Sequence, residues 1–263
     1  MSFSIIVLLV LSGVVVGFIN TLSAGGTVIS IALYLAMGIP AQSANAINRI
    51  GVLIQNGFSA AIFYPKHLIN YKHVLLYSLP LMLGSFVGAM MAVKIDEKIF
   101  NICFAIVLLI MIVFMFAKRK EHKQAEQPLT LKHYFICFPF FLLAGFYGGF
   151  VQTGTGFLLI AILGSLLGYN LLQTTAAKNT FMMFYTIIAM IVFLIRGEVE
   201  LKYWIYGLIH SLGAIIGAYI AAKYAIKKGN QFVRWVIVCV IILTAMNLLG
   251  VIDLKIILKN LIN

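Results

Sequence analysis

The chain is short of acid. Seven aspartates and glutamates stand against 19 lysines and arginines in 263 residues, and charged residues make up only 10% of the whole. All seven acids (Asp96, Glu97, Glu121, Glu126, Glu198, Glu200 and Asp253) fall between apolar runs or in the tail. A carrier that holds protons or sodium on a carboxylate inside the membrane has none to use here. Cysteine is scarce too: Cys103, Cys137 and Cys239 stand singly within apolar runs, without the pair spacing of a disulfide or a metal site. They read as small hydrophobes. No Ser/His/Asp set, no His or Cys cluster at ligand spacing and no Gly-xxxx-Gly-Lys-Ser/Thr loop occurs. The chain is therefore expected to have no catalytic residues, no metal, no cofactor and no ATP-driven step.

Apolar surface is what the sequence has in excess. With 63% hydrophobic residues and a mean hydropathy of +1.07, a water-soluble domain of this length would lack the polar surface to cover itself. The composition predicts an all-α, polytopic membrane protein whose first partner is the lipid bilayer of the cell membrane, inner or plasma. The formal net charge of +12 would suit nucleic acid. The basic residues lie in short connections instead, as cytoplasmic loops do, so no nucleic-acid partner is expected. The amino-terminal stretch MSFSIIVLLVLSG has no Lys or Arg before its apolar core, unlike a cleaved signal, and is expected to remain as the first span.

Apolar runs occur at about 3–37, 41–64, 74–93 and 99–117, and again at about 133–167, 171–195, 203–222 and 232–250. These divide the chain into a first membrane repeat (1–117), a cytoplasmic linker rich in Lys and Arg (118–132), a second repeat (133–250) and an amphipathic tail (251–263). A span needs about 20 residues, so the first run of each half is too long for one helix and too short for two. It predicts a full helix followed by an interrupted or re-entrant one, and about eight spans in all. If that run crosses once the halves lie parallel, and if it returns they lie inverted; the distribution of Lys and Arg fits both.

The two halves resemble each other. Gly13–Arg49 and Gly145–Asn179 each open on a Gly-xxx-Gly pair, then break an apolar run with polar and glycine residues. The breaks are Asn20-Thr21-Leu22-Ser23-Ala24-Gly25-Gly26 and Gln152-Thr153-Gly154-Thr155-Gly156. Each copy closes on a polar patch with one cation: Asn45, Asn48 and Arg49 in the first, Thr174, Thr175, Lys178 and Asn179 in the second. Further on, Leu79–Lys94 aligns with Leu208–Lys223 without a gap, matching Gly84 with Gly213 and Gly88 with Gly217. Glycines at that spacing let helix backbones touch where lipid offers no hydrophobic drive.

Interrupted helices at matching places in two halves point to a transporter's binding site. Helix starts at about Gly26 and Gly156 would offer N–H groups to an anion, and Arg49 and Lys178 are the only charges near the breaks. A small anionic substrate is the expected partner. Asn20, Thr21, Ser23, Gly25, Gly26, Asn45, Asn48 and Arg49 form the first half of the candidate site. Gln152, Thr153, Gly154, Thr155, Gly156, Thr175, Lys178 and Asn179 form the second. The competing expectations are that both cations snorkel to headgroups from span ends and that some polar groups only tie up broken-helix carbonyls. His210, inside the seventh run, is expected to hydrogen-bond between helices, with proton relay as the alternative; Gln55 and Asn56 are expected to be interhelical glue.

The duplicated glycine-rich interruption, the Asn45-Ala46-Ile47-Asn48-Arg49 segment after Gly38-Ile39-Pro40 and the repeated Leu-Gly-xxx-Gly-Ala together resemble the TauE/SafE family of sulfite exporters, also called TSUP transporters. The likeness runs from Gly13 to about Gly250. Family members carry a richer triple-glycine run with a proline soon after, where this chain has Ala24-Gly25-Gly26-Thr27 and Gly154-Thr155-Gly156. The resemblance implies a secondary permease of about eight spans in two related halves, moving sulfite, sulfonates or related sulfur oxyanions. A carboxylate carrier, an anion channel and a non-transporting membrane assembly partner are the alternatives.

Overall fold

Asn70, Thr130 and Asn170 each precede an apolar run, and each caps a helix: Asn70 Oδ1 accepts from the Lys72 amide, Thr130 Oγ1 from the His133 amide, and Asn170 forms a capping box with Gln173. Such residues satisfy amides that the first helical turn leaves without partners. The computed structural model describes residues 3–22, 24–116, 130–197, 199–224 and 231–256. Ser23, most of the expected linker and residues 257–263 of the tail lie outside them. The described part is helical: α1 (Phe3–Leu22), α2 (Thr27–Ala36), α3 (Ala41–Phe63), α4 (Tyr71–Lys94) and α5 (Glu97–Phe116), then α6 (Leu131–Phe150), α7 (Thr155–Ser165), α8 (Leu171–Arg196), α9 (Leu201–Tyr224) and α10 (Gln231–Leu248). Among the described residues, α1, α4, α6, α8 and α9 are long and apolar enough to cross a membrane. The protein is an all-α, polytopic membrane protein.

Glycine decides which helices pair. A Cβ on Gly145 would lie 2.0 Å from the Leu81 carbonyl oxygen, and one on Gly84 would lie 2.0 Å from that of Leu142. Gly149 and Gly88 repeat the contact one turn on, against Ser85 and Phe146, so α4 and α6 run parallel with their backbones touching. On the other side Gly13 meets His210, Gly17 meets Ala214, and Gly213 and Gly217 meet Val10 and Val14. Helices α1 and α9 are therefore parallel too. Both pairs join one half of the chain to the other.

The remaining directions follow from side chains. Gln42 on α3 donates to the Ala92 and Ile95 carbonyls at the end of α4, so α3 and α4, joined by a short turn, are antiparallel. From α3, Gly57 faces Met183 and Arg49 lies over Phe193, both on α8, which sets α3 antiparallel to α8. Gly207 and His210 on α9 meet Ile47 and Gly51 in ascending order. Thus α1, α3 and α9 run one way and α4, α6 and α8 the other. Of the two arrangements that the charge pattern permits, these directions fit the inverted one, with α2 folding back between α1 and α3.

Polarity is arranged inside out, as a bilayer demands. Leu79, Leu83, Phe86, Leu143, Leu208, Leu212 and Ile216 are exposed around the perimeter, while Asn45, Asn48, Arg49, Gln55, Lys178, Asn179 and His210 are buried. Helices α3 and α8 carry most of that polar interior and pack on each other, α3 also on α9 and α1, and α8 also on α4 and α6. Helix α10 packs against α5 and α2.

Candidate functional site

The polar breaks are where the chain reverses. Gly25 (φ 91°) and Gly154 (φ 86°) take the left-handed conformation, and Gln152 takes it as well at φ 65°. A side chain rarely adopts that region, at a cost of about 1–3 kcal/mol, and the surroundings must hold it there. Gln152 is held at both ends of its amide: Oε1 accepts from Asn48 Nδ2 at 3.0 Å and Nε2 donates to Thr186 Oγ1 at 3.3 Å. Thr155 Oγ1 donates back to the Gln152 carbonyl at 2.7 Å, closing the turn.

Stopping a helix inside the membrane strands its last carbonyls, and the opposite half of the chain supplies their partners. After the break in α6, the amides of Val151 and Gln152 both turn to Tyr147, and that of Thr153 to Val151. Three carbonyls are then met from α3: Gly148 by Arg49 Nη1 at 3.1 Å, Gly149 by Arg49 Nη2 at 2.6 Å, and Phe150 by Asn45 Nδ2 at 2.9 Å. At the end of α1, Lys178 Nζ on α8 donates to the Asn20 carbonyl at 2.5 Å and to that of Thr21 at 3.3 Å. Cations at helix C-termini also lie on the negative end of the helix dipole. Arg49 further stacks on Phe193, 4.6 Å from the ring centroid.

Neither cation snorkels: Arg49 is 0% and Lys178 1% exposed. Several of the expected substrate groups thus act in part as caps for broken helices. Asn48 is a bridge as well, accepting from Ser30 Oγ at 2.6 Å while it donates to Gln152. Thr21 Oγ1 pairs with Ser59 Oγ at 3.1 Å. Thr175 Oγ1 donates to Leu171 within its own helix at 2.9 Å, which commits its hydroxyl away from the breaks.

The two breaks meet. A Cβ on Gly156 would lie 2.8 Å from that of Ala24 and 3.6 Å from Lys178 Cδ. Here the short helices α2 and α7 begin, at Gly26 and Gly154, and neither start has a side-chain cap, unlike α4, α6 and α8. Around them several buried polar atoms have no hydrogen-bond partner: Asn20 Nδ2, Thr153 Oγ1, both amide atoms of Asn179, and Arg49 Nε. Beside Gly154 an apolar cavity of about 240 Å³ opens between α5, α6 and α7, lined by Met111, Tyr147 and Phe157 among others. Among the described residues no His, Cys, Asp or Glu cluster suits a metal.

Sequence reasoning missed Ser30, Tyr147, Tyr185, Thr186 and Phe193. Tyr147 donates to the Thr153 carbonyl at 2.6 Å, and Tyr185 packs against Gly148. A signal was present for three of them. Tyr185 and Thr186 follow Lys178 and Asn179 by two helical turns on the same face of α8, and Phe193 continues the face.

Comparison with known proteins agrees with the architecture. Residues 9–248 match the family described as sulfite exporter TauE/SafE. The chain is 26% identical over 250 residues to "Probable membrane transporter protein ORF9" of a Sinorhizobium species, spanning 95% of this chain and 94% of that protein. It is 27% identical over 228 residues to a "Probable membrane transporter protein" of Haemophilus influenzae, spanning 86% and 87%. Over 229 residues it is 24% identical to "Probable membrane transporter protein YfcA" of Escherichia coli K12, spanning 85% and 82%. The chain belongs to the TauE/SafE family and is a multi-pass membrane transporter, not an enzyme.

Proposed function

We propose that the protein is a secondary permease for small oxyanions, sulfite or a sulfonate, bound where the two breaks meet. The observation that carries this reading is the pair of uncapped helix starts, α2 and α7, converging beside Lys178 with buried donors left over. Each helix start carries roughly half a positive charge, and the end of α6 offsets about half of the charge on Arg49. With Lys178 and the end of α1 counted in the same way the sum is near +2, which suits a small anion.

Three unpartnered donors lie on the segments that meet at the junction. Asn20 Nδ2 comes from α1, Thr153 Oγ1 from the second break and Asn179 Nδ2 from α8. Each oxygen of a bound oxyanion carries more than one lone pair, so a single small anion can accept from all three. Arg49 and Lys178 have two tasks in this account: they hold the broken ends in place, and their field draws the anion in.

The test is anion counterflow in proteoliposomes with sulfite, methanesulfonate, sulfate and acetate, comparing the parent with Asn179→Asp. The parent exchanges sulfite and methanesulfonate, and Asn179→Asp, similar in size but negative, exchanges neither. A parent that exchanges none of them contradicts the proposal.

A further inference from the structure

His210 departs from its expected role. It is 1% exposed, yet neither Nδ1 nor Nε2 has a hydrogen-bond partner, so it does not join helices in the way the sequence suggests. Its neighbours share the condition. Tyr34 on α2 meets the imidazole edge-on, with ring centroids 5.8 Å apart, and its buried hydroxyl has no partner. Gly51 on α3 faces Nδ1, and one turn further along the same face both amide atoms of Gln55 are buried and unpartnered. The expected glue is absent here too, since Asn56 donates only to Val52 in its own helix. Leaving one such group unpaired costs about 1–3 kcal/mol, and the three on α2, α3 and α9 mark a use.

The same face leads to the first break. After Gly51 and Gln55 comes Ser59, whose hydroxyl pairs with Thr21, and the Thr21 carbonyl accepts from Lys178. A polar stripe thus connects the imidazole with the place where the breaks meet.

We infer that His210 is a proton-coupling site, loaded and unloaded as the anion passes between the breaks; this rests on the permease reading above. A neutral imidazole keeps a proton on one ring nitrogen and accepts a second from water on the other, and the resulting cation later returns that proton to water. The charges facing it are few. Helix α1 contributes none, α2 contributes only Tyr34, and α3 contributes Arg49, turned toward α6. On α9 itself the nearest titratable group is Tyr206, one turn back. With no carboxylate to hold the proton, the field of Arg49 opposes protonation until an anion offsets it. Each ligand then favours the other reciprocally.

The test uses the full chain in proteoliposomes loaded with a pH-sensitive dye, with methanesulfonate and sulfate as permanently ionised probes, in the parent and in His210→Gln. In the parent, protons accompany the anion one for one, and anion affinity falls about tenfold per pH unit above the titration of the site. In His210→Gln, anion counterflow persists, while proton movement and the pH slope are lost. Should that variant fail to fold, His210→Ala is assayed with and without added imidazole, and return of proton movement with imidazole supports the assignment. Net anion flux without protons in the parent, a pH slope kept by His210→Gln, or no return with imidazole overturns it. Absence of counterflow in the parent overturns the permease reading as well, so the two failures are told apart.

Discussion

Replacing Arg49 by methionine keeps most of the side chain's length and apolar body but removes both guanidinium bonds to α6. The Gly148 and Gly149 carbonyls have no other partner available, because the amides that follow turn to Tyr147 and Val151. Hydrogen bonds to a charged group contribute about 1.5–3 kcal/mol each, and the stacking on Phe193 adds about 1–2 kcal/mol where water is excluded. Against this stands the relief of no longer burying a charge, several kcal/mol in its own right. The net expectation is a loss of about 3 kcal/mol, roughly a hundredfold in the unfolding equilibrium. Unfolding by SDS in mixed micelles, followed by tryptophan fluorescence, measures it. Arg49→Lys retains the charge with a single head group and loses about half as much. A methionine variant within about 0.5 kcal/mol of the parent would refute the capping role.

Three further outcomes follow from the packing and the polar bridges. Gly145→Ala pushes a methyl group into the Leu81 backbone and is expected to cost more than about 3 kcal/mol in the same assay. Gly57→Ala meets only Met183 Sδ at the ordinary distance of 3.6 Å and is expected to gain up to about 1 kcal/mol from helix propensity. Asn48→Leu breaks the bridge from Ser30 to Gln152, leaves two buried partners and the strained Gln152 unsupported, and lowers anion counterflow at least tenfold with the protein still folded by circular dichroism.

Much of this architecture was legible because membranes restrict what a chain does. Apolar runs gave the helices, matched glycines gave the close contacts, and polar interruptions gave the breaks, since broken helices within hydrocarbon need polar partners. The pairing itself was not legible: that Gly13 and Gly17 meet α9 and not their own half is a property of the folded chain. Nor did sequence reveal that Arg49 and Lys178 each serve the other half's broken helix. A lone cation in an apolar run looks the same whether it awaits a ligand or caps a carbonyl. His210, Tyr34 and Gln55 were visible singly, but their shared lack of partners needed coordinates.

The central claim is that an oxyanion rests where the two breaks touch. Selenite and selenate are heavy counterparts of sulfite and sulfate, and crystals grown with selenite report its position by anomalous scattering. The account predicts one selenium peak beside the starts of α2 and α7, within hydrogen-bonding reach of Asn20 and Asn179 and close to Arg49. Selenium bound elsewhere in the protein, with the junction at Ala24 and Gly156 closed, would contradict it.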